Sequence, residues 1–468
     1  MVRVAREGAP VELAASAIET MRETRALAER LLDDDTTEVY GFTTGVGVRK
    51  RVRVPRDAMT GFQRRLLLDH LVAQGQAAPE DLVRATMVRV LNGLARGTGA
   101  VRPLLAERLV DALNHGEHLR VRPLGGIGLA DLGPLTDLAV GLFGGLELAA
   151  KEALPLINTN AFSTAHAALA VSDAERLLGT LRTLAALELE GFGANLTPLH
   201  PAVAEARGHP GLRAESAGLR ALLEGSPLHA PGAARNLQDP LSFRGVAAIL
   251  GAARDAFAQA ERVLAIELVA PQENPFPVPE EGRFISAANY ESQPLAAALD
   301  YLRIGLAPCL SAANERCVKL LQAPQTGLTD GLAPWGHEDE GGLSEFAWTV
   351  QTIALEARLL IAPVSAEIPS SSQAEGIEDR AAMTPLAARR LAEQVELGER
   401  LAAIGFVVAA QAVELRLGSG APTLGAPLRP VFDAVRTVVP DLAPGTTVTP
   451  DLEPLIALIR GGRFVPGA

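Results

Sequence analysis

A chain of 468 residues with 48% hydrophobic content is long enough to bury a large core without disulfide or metal staples. Its formal net charge of -12, with acids and bases interspersed, excludes a phosphate-backbone partner from the expected ones. The only cysteines, Cys309 and Cys317, lie close together in one helical stretch, which excludes a disulfide framework and points to a reducing compartment. No signal-peptide core opens the chain and no run of about 18 uninterrupted apolar residues follows. A cytoplasmic protein with no membrane partner is expected.

In chain order, apolar spacing of three to four residues predicts helices over Leu13 to Leu32, Asp81 to Ala95, Ser172 to Leu189, Arg244 to Leu268 and Leu391 to Leu415. Gly, Pro, Ser and Asn mark irregular stretches at Tyr40 to Gly47, Gly125 to Pro134, Asn158 to Thr164, Pro271 to Pro294 and Ser365 to Glu378. Each is short or anchored by residues such as Phe276 and Ile285, so none has the character of a linker. Residues 1–468 are expected to form a single unit, with an N-terminal part bearing active-site loops over 1–190 and a long-helix bundle and C-terminal part over 191–468. The fold class is mainly α. The longest helices are apolar over much of their circumference, which suits a bundle or the inside of an oligomer.

Several segments carry chemistry. The glycines of Tyr40-Gly41-Phe42-Thr43-Thr44-Gly45-Val46-Gly47 permit a tight loop that brings a phenol into a closed site, where a tyrosine of lowered pKa removes a carbon-bound proton. His70 follows Phe62 and Leu66 at four-residue steps and so lies on an apolar stripe. In Gln238-Asp239-Pro240-Leu241-Ser242-Phe243-Arg244, Asp239 is expected to cap a helix that Pro240 begins, which sets Arg244 beside a helix N-terminus where a carboxylate is welcome. His115 and His118 lack helical spacing and a third ligand, so no metal is expected.

These segments, in this order, resemble the histidine/phenylalanine ammonia-lyase family over nearly the whole chain. The tyrosine loop is similar to the family's Tyr-Gly-x-x-Thr-Gly-Phe-Gly. Phe62 to His70, Asn92 to Gly97, Lys151 to Asn158, Gln238 to Arg244, Glu273-Asn274-Pro275 and Ala374 to Asp379 follow as the family has them. The resemblance implies an ammonia-lyase (fumarase/aspartase-like) fold with a long central helical bundle, and a homotetramer whose sites combine residues of several subunits. It also implies Tyr40 and Glu378 as catalytic residues, and His70, Asn158, Gln238, Arg244 and Tyr290 as substrate contacts.

One departure bears on the chemistry. The family cyclises Ala-Ser-Gly into an electrophilic methylidene-imidazolone, and the corresponding stretch here is Gly128-Leu129-Ala130-Asp131. Ala130 stands where the resemblance places the serine, and the following glycine is missing. Without a β-hydroxyl or thiol nothing leaves to form the exocyclic methylene, so neither this group nor another cofactor is expected. Leu241 stands where the family has a tyrosine, and Glu291 where histidine ammonia-lyases have histidine. The resemblance then implies a lyase acting on a small carboxylate substrate whose leaving group is already activated, like the ergothioneine-degrading relatives that expel trimethylamine from a betaine. An isomerase or cyclase using the same pocket, and a non-catalytic ligand-binding homologue, are the alternatives.

Overall fold

The computed structural model describes the chain except residues 34–35, 367–373, 419–421, 447–450 and 466–468. The five predicted helices appear as Ala15–Leu32, Glu80–Ala95, Ala161–Phe192, Val246–Glu267 and Thr384–Leu417. Helices also form over Met59–Asp69, Leu132–Phe143 and Gln293–Leu320. The only strands among the described residues are Phe276–Val278 and Arg283–Ile285, an antiparallel pair inside a stretch expected to be irregular. The mainly α fold is thus as expected.

The contact pattern groups the chain into two compact units, one of Met1–Ala170, Glu261–Asp300 and Pro363–Arg389, the other of Val171–Ala260, Tyr301–Ala362 and Arg390–Ala468. Within the first, an apolar core of leucines, valines and alanines includes Leu66, Leu91, Leu105, Leu135 and Phe162. Burial of such side chains is the main favourable term in folding, about 25 cal/mol per Å² of apolar surface. Two buried charged side chains of this unit, Glu152 and Lys151, are bonded. Glu152 is fully buried, and its carboxylate accepts from the Arg102 side chain at 2.7 and 2.8 Å and from the backbone N–H groups of Arg102 and Ala149. Burial pushes the Lys151 amine down to about 7, with Glu273 raising it and Arg25 lowering it; its Nζ donates to the Gly99 carbonyl at 2.9 Å. The Lys151-Glu152 pair of the family-like segment is therefore a structural tie, and it fixes the turn that ends in Asn158.

Helix Gln293–Leu320 is long and apolar enough to cross a membrane by length and composition. It carries a fully buried Arg303 whose guanidinium donates to the Leu360 and Ala362 carbonyls, as a core helix does.

Candidate active site

Glycine shapes the loop that carries Tyr40. Gly41 and Gly47 have φ of 64° and 57°, and a Cβ on Gly41 would overlap the Leu154 side chain. The loop folds back on its own tyrosine, with the Gly47 N–H donating to the Tyr40 hydroxyl at 2.9 Å. His70 caps the end of Met59–Asp69, and its Nδ1 lies 2.7 Å from the Leu66 carbonyl, which accepts its proton and leaves Nε2 as an acceptor in the neutral ring. Asn158 ends the short helix Ala153–Ile157 and donates from Nδ2 to the Asn274 carbonyl at 3.1 Å. Asn274 in turn accepts from the Ala287 N–H at 2.9 Å, which orders the stretch leading to Tyr290.

These residues line one cavity of about 870 Å³, together with Leu129, Tyr290 and Glu378. Of the residues singled out in the sequence, Tyr40, His70, Leu129, Asn158, Tyr290 and Glu378 are brought together. Burial raises the Tyr40 phenol above its ordinary value; the Gly47 N–H lowers it and the Glu378 carboxylate raises it again. Tyr290 is raised by burial and then by Tyr40, Glu378 and Glu291. The expectation of a lowered Tyr40 pKa is reversed within this chain, because burial and the Glu378 carboxylate outweigh the bond from the Gly47 N–H. Tyr40 keeps its proton at neutral pH.

The sequence missed Arg380 and Lys50, which line the same cavity. Arg380 Nη1 lies 2.8 Å from Glu291 Oε2, so the acid standing at the histidine position is paired. Lys50 Nζ lies 2.9 Å from Glu375 and Arg51 Nη1 3.4 Å from it, joining the tyrosine loop to the turn before Glu378. Adjacency to Glu378-Asp379 was the one local signal for Arg380.

The stretch below Tyr40 is held by backbone bonds. The Met383 N–H donates to the Ile127 carbonyl at 2.8 Å, the Ala130 N–H to Asn160 Oδ1 at 2.9 Å and the Asp131 N–H to the Thr159 carbonyl at 2.8 Å. Ser292 Oγ donates to the Gly128 carbonyl at 2.5 Å and receives from Thr384 Oγ1 at 2.7 Å. Ala130 is buried with φ of 76°, a conformation native to glycine, and the side chain lining the cavity here belongs to Leu129. Asp131 is fully buried, and its Oδ2 accepts from the Ser163 N–H at 2.7 Å in the first turn of Ala161–Phe192. Burial pushes its carboxyl up to about 6 despite that bond, and Oδ1 has no partner.

Gln238 and Arg244 do not line this cavity; both belong to the second unit. Asp239 does not cap the helix as expected. Its carboxylate accepts from the Asn195 N–H at 2.6 Å and from Asn236, and Pro240 precedes a four-residue helix, Leu241–Arg244. The backbone N–H of Asn195, distant in sequence, takes the carboxylate in place of a local cap. Phe243 anchors that turn by stacking on Phe192 at 4.0 Å, while Gln238 and Leu241 are exposed. The Arg244 guanidinium makes no hydrogen bond or ion pair with any described residue, and its Nε is buried without a partner.

The profile of the aromatic amino acid lyases matches residues 1–147 and 144–437. The chain belongs to the aromatic amino acid lyase family. Histidine ammonia-lyase of Deinococcus radiodurans is 33% identical over 99% of this chain and 92% of its own length. That of Anaeromyxobacter sp. (strain K) is 35% identical over 98% and 96%. Among solved structures, the ergothioneine-degrading enzyme ergothionase from Treponema denticola is similar with a TM-score of 0.92 at 25% identity, covering 99% of this chain and 97% of that one. Tyrosine aminomutase from Streptomyces globisporus gives 0.89 at 27%, covering 99% and 94%. Ammonia-lyase-like chemistry is the function class that this family membership supports.

Proposed function

We propose that this protein is a lyase that works without a methylidene-imidazolone group, eliminating an amine or another activated leaving group from a small carboxylate substrate, or adding it in reverse. The observation that carries the reading is the meeting of Tyr40, Tyr290 and Glu378 in one cavity whose wall is Leu129. The electrophile does not fit this stretch, since no residue from Gly125 to Leu135 bears a hydroxyl or thiol. No step is routed through it.

Two phenols and Glu378 around one space favour a positively charged occupant. A quaternary ammonium placed there lowers the Tyr40 pKa toward the phenolate, so the substrate itself readies its base; it is also a leaving group that needs no covalent activation. Glu378 pairs with the ammonium group, which departs as the neutral amine with the electron pair of the broken carbon–nitrogen bond. Asn158 and His70 hold the rest of the substrate. The likeness to ergothionase supports this choice of leaving group. The carboxylate is assigned to Arg244, with Gln238 beside it, supplied by a neighbouring copy in a homotetramer: among the described residues this guanidinium has no anion to pair with. A cytoplasmic enzyme with no external cofactor completes the reading. The protonated Tyr40 also favours an isomerase, in which the phenol returns a proton to the substrate.

The test is to incubate the purified protein with histidine, phenylalanine, tyrosine and their trimethylammonium betaines, and to record its intact mass. Trimethylamine release from a betaine by a chain of unmodified mass is expected. A dehydrated, cyclised chain, or rapid ammonia release from the three amino acids, overturns the reading.

A further inference from the structure

The second unit contains a separate cavity of about 410 Å³, between residues 195–201 and the stretch from Leu228 to Ala234. Its ionisable lining groups are His200, Arg220 and His229, and no carboxylate joins them. Arg220 is half-buried. Its Nη1 donates to the Leu199 carbonyl and to Ser216 Oγ, each at 2.9 Å, and it forms no ion pair with a described residue. The other guanidinium N–H groups donate to no described residue. His200 Nδ1 accepts from the Ala202 N–H at 3.2 Å, so the neutral ring carries its proton on Nε2 as a donor. Leucines and prolines, among them Leu199, Leu228 and Pro231, supply the remaining wall.

A fixed cation with donors left over, beside an apolar wall and with no carboxylate among the lining residues, selects an anion that has an apolar body. We propose that this cavity is a second binding site, for a small organic carboxylate whose apolar part rests on Leu199, Leu228 and Pro231 while its carboxylate meets Arg220. Inorganic phosphate meets the charge and leaves the apolar wall uncovered. The site also has a lever. Asn195 lines the cavity, donates its N–H to Asp239 and its carboxamide to the Leu237 carbonyl at 2.8 Å, and so holds the stretch that leads to Gln238 and Arg244. An occupant stiffens that stretch.

Titration calorimetry with benzoate, benzamide and inorganic phosphate tests the proposal on the full-length protein, with hydrogen exchange over residues 193–244 as the second readout. Benzoate is expected to bind, with benzamide and phosphate at least about tenfold weaker, a difference of about 1.4 kcal/mol. Arg220→Gln and Ala230→Glu should each weaken benzoate at least about tenfold. Ala230 is exposed, so its variant adds a repelling carboxylate without disturbing the core. Arg244→Ala should leave benzoate affinity unchanged, which separates this site from the proposed catalytic one, and exchange around Asn195 and Leu237 should slow with benzoate. Absence of benzoate binding, equal binding by Ala230→Glu, or loss of binding in Arg244→Ala overturns the assignment.

Discussion

Asp131→Asn should change how stability depends on pH. The Asp131 carboxyl is fully buried, with one oxygen bonded to the Ser163 N–H and the other without a partner, and burial moves its pKa from 3.8 up to about 6. A rise of that size corresponds to about 3 kcal/mol at 1.36 kcal/mol per unit. Below pH 3.8 the group is protonated in both states and costs nothing. Between 3.8 and about 6 the unfolded chain gives up its proton first, so the folded state binds more protons and stability falls as pH rises. Above about 6 the loss is complete and constant. Asparagine has no such titration, although its NH₂ group occupies the partnerless position and costs about 1–3 kcal/mol at every pH. The variant should therefore gain on the wild type by about 2 kcal/mol between pH 4 and 7, whichever is the more stable at the start. Urea unfolding of both proteins at several pH values in that range measures the difference, in which the other titrating groups cancel. Two parallel curves would refute the reasoning, because they would mean that the carboxyl does not titrate in this window.

Gly128→Ala should destabilise by more than about 2 kcal/mol in thermal unfolding, since φ is 82° and the new Cβ would lie 2.7 Å from Thr384 N and 2.8 Å from Met383 N. Arg316→Leu should cost about 3–5 kcal/mol by leaving Glu188 buried without its partner, whereas the double Leu variant should recover most of that loss. Tyr40→Phe removes the hydroxyl and keeps the ring, so turnover of the true substrate should collapse with little change in melting temperature; unchanged turnover would remove Tyr40 as the base. Arg244→Ala should raise KM by the equivalent of about 2–5 kcal/mol, with a smaller effect on kcat.

The sequence was most legible where a local pattern suffices. Helical spacing located five of the helices but not Gln293–Leu320, of which only the stretch around Cys309 and Cys317 was expected to be helical, and the Tyr40 loop and the Ala374 to Asp379 segment both line one cavity with Tyr40 and Glu378. Features decided by distant partners were not legible. Helix Ala161–Phe192 begins inside a stretch expected to be a loop because the carboxylate accepting from its Ser163 N–H is that of Asp131, contributed from elsewhere in the chain. Asp239 has the right identity for a cap and is claimed by the Asn195 amide instead. The strands around Phe276 and Arg283 are three residues each, too short for alternation to register. The protonation of Tyr40 depends on burial and on Glu378, neither of which a motif contains.

The guanidinium of Arg244, unpaired among the described residues, has a consequence for mixtures of subunits. On the proposed division of labour, a copy lends its Arg244 to a site whose Tyr40 belongs to another copy. Neither Tyr40→Phe nor Arg244→Ala subunits alone then build an intact site. Co-refolded in equal amounts, they place an unaltered Tyr40 opposite an unaltered Arg244 in about a quarter of the sites of a randomly assembled oligomer. Two impaired preparations thereby yield a more active one at low substrate concentration, and a fault at either residue is partly hidden whenever sound subunits share the assembly.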